Sequence, residues 1–196
     1  MTQIIGRPRD ETLEHRILDA TEAILLEGGY AKLTIDGIVS RAGTSRPAFY
    51  RRFTGVPALL LAMLFRKFGE TPRVDTGTLQ GDLLAIQREQ ARVFNNPLVR
   101  RCLLGFLDSL LTDEELTETF VSGFFGPRRA ATQEAIVRGI ARGEAADASD
   151  LDWVCDLLSG PLMMRATFPH MGPIDDSVVT GTVRAALVEL QLPAAG

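Results

Sequence analysis

Negative charge is missing from one long stretch of an otherwise acidic chain. Between Gly37 and Gly69 there is no Asp or Glu, although the 196 residues hold 25 acids against 21 Lys and Arg. A random window of that length would carry about four acids. Other scarcities narrow the field. No apolar run approaches the roughly 18 to 20 residues that cross a bilayer, and the longest, Val56 to Phe65, is interrupted by Pro57. No membrane partner is expected. The opening MTQIIGRPRDET has no apolar signal core, which makes the cytoplasm the expected compartment. Cys102 and Cys155 are the only cysteines, too few for a disulfide framework and consistent with reduced thiols.

Catalytic patterns are equally sparse. The two histidines, His15 and His170, are far apart and form no metal-spaced cluster. There is no Gly-rich phosphate loop, no Gly-x-Ser-x-Gly elbow and no Cys-x-x-Cys. Asp175-Asp176 sits where a helix should start, so capping explains it. Asp147, Asp150, Asp152 and Asp156 read as a solvated helix start, with cation binding as the rival. The chain is not expected to be an enzyme or to hold a cofactor or metal. One non-enzymatic alternative stays open, a thiol-responsive regulator using Cys102 or Cys155, because Arg100 and Arg101 precede Cys102 and cations lower a thiol pKa.

What is present reads almost entirely as helix. Leu13, Ile17, Ala20, Thr21, Ile24 and Leu25 recur at three- and four-residue intervals. Gly28-Gly29 closes that helix. A second helix opens at Thr34, Gly43 breaks it, and Thr44 or Ser45 caps a third that ends near Phe53. Further helices are expected at about 57–68, 79–94, 97–111, 114–123, 127–142, 151–168 and 175–190, with breaks at Asn95-Asn96-Pro97, Gly126-Pro127 and Pro169 to Pro173. The fold class is all-α. Residues 1–55 form a helix-turn-helix domain and residues 56–196 a larger helical domain.

The stretch TIDGIVSRAGTSRPAFYRRF holds two short helices joined at Gly43, the layout of a helix-turn-helix. Such a unit lays its second helix in the major groove with its first residues at the base edges. Here these are Ser45, Arg46, Pro47 and Ala48. Arg46 suits a bidentate contact to guanine, and the Ala48 methyl a thymine methyl. Tyr50, Arg51 and Arg52 suit phosphates, and carboxylates on this face would repel them.

The run RILDATEAILLEGGYAKLTIDGIVSRAGTSRPAFYRRFTGVPALLLAM, residues 16–63, resembles the DNA-binding part of the TetR (tetracycline-repressor) family. The matching elements are Gly29-Tyr30, Thr34, Ile38, Ala42-Gly43-Thr44-Ser45, Phe49-Tyr50 with Phe53, and Ala58-Leu59-Leu60. The resemblance implies DNA contacts at Ser45, Arg46, Pro47, Ala48 and Tyr50, with Thr34 capping a helix beside a phosphate. Thr44, Arg51 and Arg52 complete the expected surface. Two positions depart from the family: Val56 stands where a phosphate-binding lysine is usual, and Val39 where a small alanine is.

The same resemblance implies a homodimer on a double-stranded, pseudo-palindromic operator, and an effector cavity among the middle helices. Ligand binding there would swing the fourth helix and separate the two DNA-binding heads. Phe65, Phe68, Phe94, Phe106, Phe120 and Phe124 would supply an apolar lining for a small apolar or aromatic effector. Arg88 and Cys102 would add polar groups, with Gln87, Gln90 and Ser109 as further candidates. For the dimer, Val154, Leu158, Leu162 and Arg165 form one stripe and Val179, Val183, Ala186 and Leu187 another. A four-helix bundle with a second copy would bury both; packing inside the monomer is the alternative. The protein is thus expected to be a ligand-responsive transcriptional regulator, a repressor rather than an activator.

Overall fold

The computed structural model describes residues 11–146 and 150–191, so Asp147 of the acidic group lies outside the described residues. These residues form ten α-helices and no strand: α1 Glu11–Gly28, α2 Ile35–Arg41, α3 Arg46–Tyr50, α4 Val56–Phe68, α5 Leu79–Asn95, α6 Pro97–Leu110, α7 Glu114–Phe120, α8 Gly126–Ala141, α9 Leu151–Thr167 and α10 Asp176–Glu189. All-α is the fold class. The boundaries follow local chemistry. Thr34, Ser45, Thr78, Asn96, Asp113, Asp150 and Asp175 each cap a helix by accepting a bond from an amide two or three residues on. Of the two candidate caps for α3, the role falls to Ser45.

One expected break is absent. Gly126-Pro127 does not interrupt the chain; α7 runs into α8 through a π turn, Val121–Phe125. Pro127 has no N–H to give, and the wider turn carries the helical path past it. Gly126 fits there because a Cβ would come 2.8 Å from the Val121 carbonyl oxygen.

The head is α1 to α3, and α4 leads from it into the body. A single apolar cluster runs from Leu13, Ile17 and Leu25 through Ile38 and Phe49 to Leu60 and Met63 of α4, then on to Val99 and Phe106 of α6. Two further clusters hold the body. One joins Leu79 and Leu83 to Ile136, Val154, Leu158, Val183 and Ala186. The other joins Ala91 and Leu103 to Leu162, Ala166 and Val179. Gln87 of α5 is fully buried and ties this layer together, donating to the Leu158 carbonyl (2.6 Å) and to the Thr182 hydroxyl (2.8 Å).

These clusters correct the expected dimer stripes. Val154, Leu158, Leu162, Val179, Val183 and Ala186 are buried inside the protomer, Leu187 packs against the same core, and Arg165 donates to the carbonyls of Met171 and Pro173 in its own chain. Helical spacing finds a buried stripe but not what covers it. The apolar side chains that α9 and α10 turn outward are Trp153, Met163, Met164 and Val188, with Phe168 just beyond α9; all are 44–56% exposed.

Candidate nucleic-acid interface and helical cavity

The turn between α2 and α3 is built by Gly43, whose φ of 60° is accessible to glycine without a Cβ clash. Its amide donates to the Ser40 carbonyl and the Thr44 amide to the Val39 carbonyl (3.2 and 2.9 Å). This paired closure satisfies the last carbonyls of α2. Ser45 then starts α3, its hydroxyl accepting from the Ala48 amide at 3.4 Å. Phe49 is fully buried and fixes the roll of α3, with the Tyr50 ring edge-on against it at 5.5 Å.

That roll turns Ser45, Arg46, Pro47, Tyr50 and Arg51 to solvent and leaves Thr44 and Arg52 half-buried, and Thr34, the cap of α2, is exposed as well. Ala48 is only 6% exposed, so its methyl packs in the core rather than standing out toward a thymine. Arg52 is partly occupied, donating to the Ala48 carbonyl at 3.2 Å.

The acid-free window means something different in space. Arg66 pairs with Asp19 (3.0 Å) and Glu22 (2.5 Å), Lys67 with Glu22 (3.0 Å), and Arg41 with Glu27 (2.6 Å). Acids of α1 therefore neutralise half of the cations that the window contributes. Within α4 the lack of acids reflects burial of Leu59, Leu60, Leu61, Met63, Leu64 and Phe68 rather than DNA repulsion. Only around α3 does the original rationale apply. Even there, Asp36 of α2 lies 3.5 Å from Arg46, an exposed pair of little energetic weight.

A cavity of about 330 Å³ opens between α5, α6, the π turn, α8 and α9. Of the expected ligand residues, Phe94, Phe106, Phe120 and Phe124 line it, while Phe65, Phe68, Arg88 and Cys102 do not. Phe68 and Cys102 are core residues, Phe65 packs edge-on to Phe124 from α4, and Arg88 is exposed and paired with Asp176. Gln90 lines the cavity, whereas Gln87 and Ser109 do not. Sequence reading missed Arg128, Arg129, Thr132, Ser159 and Met163. The signal for the first two was FFGPRR, two arginines directly after an aromatic pair.

Neither cysteine has the environment of a sensor. Burial pushes both the Cys102 and the Cys155 thiol up to about 11, and for Cys155 the nearby Arg129 offsets burial only in part. Arg100 and Arg101 turn from Cys102 to the carbonyls of Arg165 and Leu25. Asp152 and Asp156 are bound to Arg129, and Asp150 caps α9. Among the described residues no group of three or more His, Cys, Asp and Glu converges, and no helix is long and apolar enough to cross a membrane.

Comparison with known proteins agrees with this layout. Residues 17–63 match the model for bacterial regulatory proteins of the tetR family, and residues 73–186 match the tetracyclin repressor-like C-terminal domain. The chain is 30% identical over 193 residues to the HTH-type transcriptional regulator YdeS of Bacillus subtilis, covering 97% of this chain and 96% of that one. It is 26% identical to the DNA-binding transcriptional repressor TetR of Mycobacteroides abscessus, over 95% of this chain and 98% of that one. The solved TetR family transcription regulator SCO0332 superposes with a TM-score of 0.64 at 26% identity, covering 92% of this chain and 99% of that chain. With a family match at both ends and a relative spanning nearly its whole length, the chain belongs to the TetR family of helix-turn-helix transcriptional regulators.

Proposed function

We propose that this regulator is a repressor that binds a pseudo-palindromic operator as a homodimer and leaves it when a small molecule enters the cavity between α5, α6, α8 and α9. The observation that carries the reading is the outward face of α3. Ser45, Arg46, Pro47, Tyr50 and Arg51 are exposed together, while Asp19, Glu22 and Glu27 of α1 are held on Arg41, Arg66 and Lys67. In this reading Arg46 meets a base edge, and Thr34, Thr44, Tyr50, Arg51 and Arg52 meet phosphates.

Residues 1–55 serve as the DNA-reading unit and residues 56–196 as the effector and dimerisation unit, although one apolar cluster crosses that boundary. That continuity favours transmission, since α4 cannot move without disturbing the head. The outward apolar residues Trp153 and Met164 on α9, Phe168 just after it, and Val188 on α10 are the face assigned to a second copy. Gly160 and Gly181 lie on the same helices with open space around them, which permits close approach of another helix. The aromatic lining favours an effector with an apolar or aromatic body. Repression at an operator places the work in the cytoplasm.

Operator selection with the full chain, followed by a ligand screen for release, tests the proposal. Recovery of a two-fold related sequence bound by a dimer is the expected result. Indifference to DNA at low salt would overturn it.

A further inference from the structure

The mostly apolar cavity has Arg129, Thr132 and Ser159 in its lining, together with Gln90 and Arg128, which also line a small adjoining pocket. Arg128 is half-buried, yet no carboxylate lies within ion-pairing distance of it among the described residues. Its neighbour Arg129 shows the contrast, with Asp152 at 2.8 Å and Asp156 at 2.6 Å. The acid whose charge bears on Arg128 is Glu89, which lines the small pocket with it, and both Glu89 oxygens are held by Arg92 at 2.7 and 2.5 Å.

Arg128 is held by weaker partners. Its guanidinium lies over the Phe124 ring, 3.7 Å from the centroid. It donates to the Phe124 carbonyl at 2.9 Å and to the carbonyl of Phe68, the last residue of α4. A guanidinium carries five N–H donors in a fork that matches a carboxylate. Two are used here, and the rest have no acceptor among the described residues. A half-buried cation without a counter-charge is partly desolvated and favours an anion joining it.

We infer that the cavity takes a small amphipathic acid, with its apolar or aromatic body among Phe94, Phe106 and Phe120 and its carboxylate on Arg128 and Gln90. The inference rests on the reading of this cavity as the effector site, and it supplies the chemical class of the effector. It also ties occupancy to α4. A carboxylate is a stronger acceptor than a carbonyl, so it competes with the Phe68 oxygen for the same guanidinium.

The test is calorimetric titration of the full chain with matched pairs: decanoate against 1-decanol, and 1-naphthylacetate against 1-naphthylacetamide. The acid of each pair should bind at least tenfold tighter than its neutral partner. Arg128→Met should erase that preference, bringing the acid and its neutral partner to equal affinity, and Arg128→Gln serves if the Met variant does not fold. Equal affinities within each pair, or a preference that survives loss of the guanidinium, would overturn the inference and leave the cavity reading standing. Failure of every compound to bind, or binding that persists undiminished when Phe106→Trp fills the cavity, would sink the cavity reading and the inference with it.

Discussion

Tyr30, in the short turn after α1, lies flat against Gly105 of α6, so close that a Cβ on Gly105 would come 2.4 Å from a ring carbon. The contact joins the head to a helix that also lines the cavity through Leu103, Phe106 and Leu107. Gly105→Ala should therefore destabilise by about 1–3 kcal/mol, the usual cost of overpacking, and lower the melting temperature. Tyr30→Leu in the same chain should recover much of the loss. A double-mutant cycle by thermal denaturation measures the coupling; additive effects would show that the two groups do not share the strain.

At the DNA face, Arg46→Ala should cost about 1–3 kcal/mol at one base pair of a selected operator and little elsewhere. Tyr50→Ala should weaken binding to all sequences alike. Competition binding against a panel of operator variants separates the two patterns. Equal binding of every variant by the Arg46→Ala protein would remove the base-reading role.

Much of this site was legible because its signals are local. The caps at Thr34 and Ser45, the turn at Gly43 and the cations of α3 are fixed within a few residues of one another. Ala48 was misplaced because α3 is only five residues long, and its roll is decided by Phe49 seating in a core built from α1 and α4. The α9 and α10 stripes failed for a related reason. Period-3.6 spacing marks the face of a helix that is buried, and here α5 and α8 bury it, leaving the less regular set of Trp153, Met164 and Phe168 outside. Arg128 escaped notice because its isolation from carboxylates exists only in three dimensions.

Surface and core changes on α9 should therefore separate cleanly. Met164→Asp, on the outer face, should leave the fold intact and shift the protein to monomer in sedimentation velocity. Leu162→Ala, at a position with no exposure, should cost about 2–5 kcal/mol of stability without a direct effect on assembly. A Met164→Asp protein that remained dimeric would move the interface elsewhere.

Asp82 predicts an acid limb to stability. It is fully buried, which alone would raise its pKa, but the Thr76 amide (2.6 Å), the Thr76 hydroxyl (2.8 Å) and Arg138 (3.3 Å) more than offset this and hold it below the ordinary value. In the unfolded chain the group titrates near about 3.9. Its contribution is thus present above about pH 4 and is lost as pH falls through the lower folded value. Asp82→Asn should cost about 3 kcal/mol at neutral pH, because it strands Arg138, and should flatten that limb in urea melts.

Oxidation gives an opposite expectation. With both thiols near 11, little thiolate exists at neutral pH to react. Mild peroxide should leave both free thiols countable by a thiol reagent in denaturant and leave operator affinity unchanged.

The π turn at Val121–Phe125 has a consequence of its own. Each residue added to a regular helix rotates everything beyond it by about 100°, whereas a π turn, closed i→i+5, takes up one more residue than an α turn where it stands. Without that wider turn the same residues wound as regular helix would spin α8 by about 100°, carrying Arg128 off the Phe124 ring and turning Arg129 from Asp152 and Asp156. The width of this one turn, independent of any side chain's chemistry, sets the angular phase between α7 and α8, which both line the cavity.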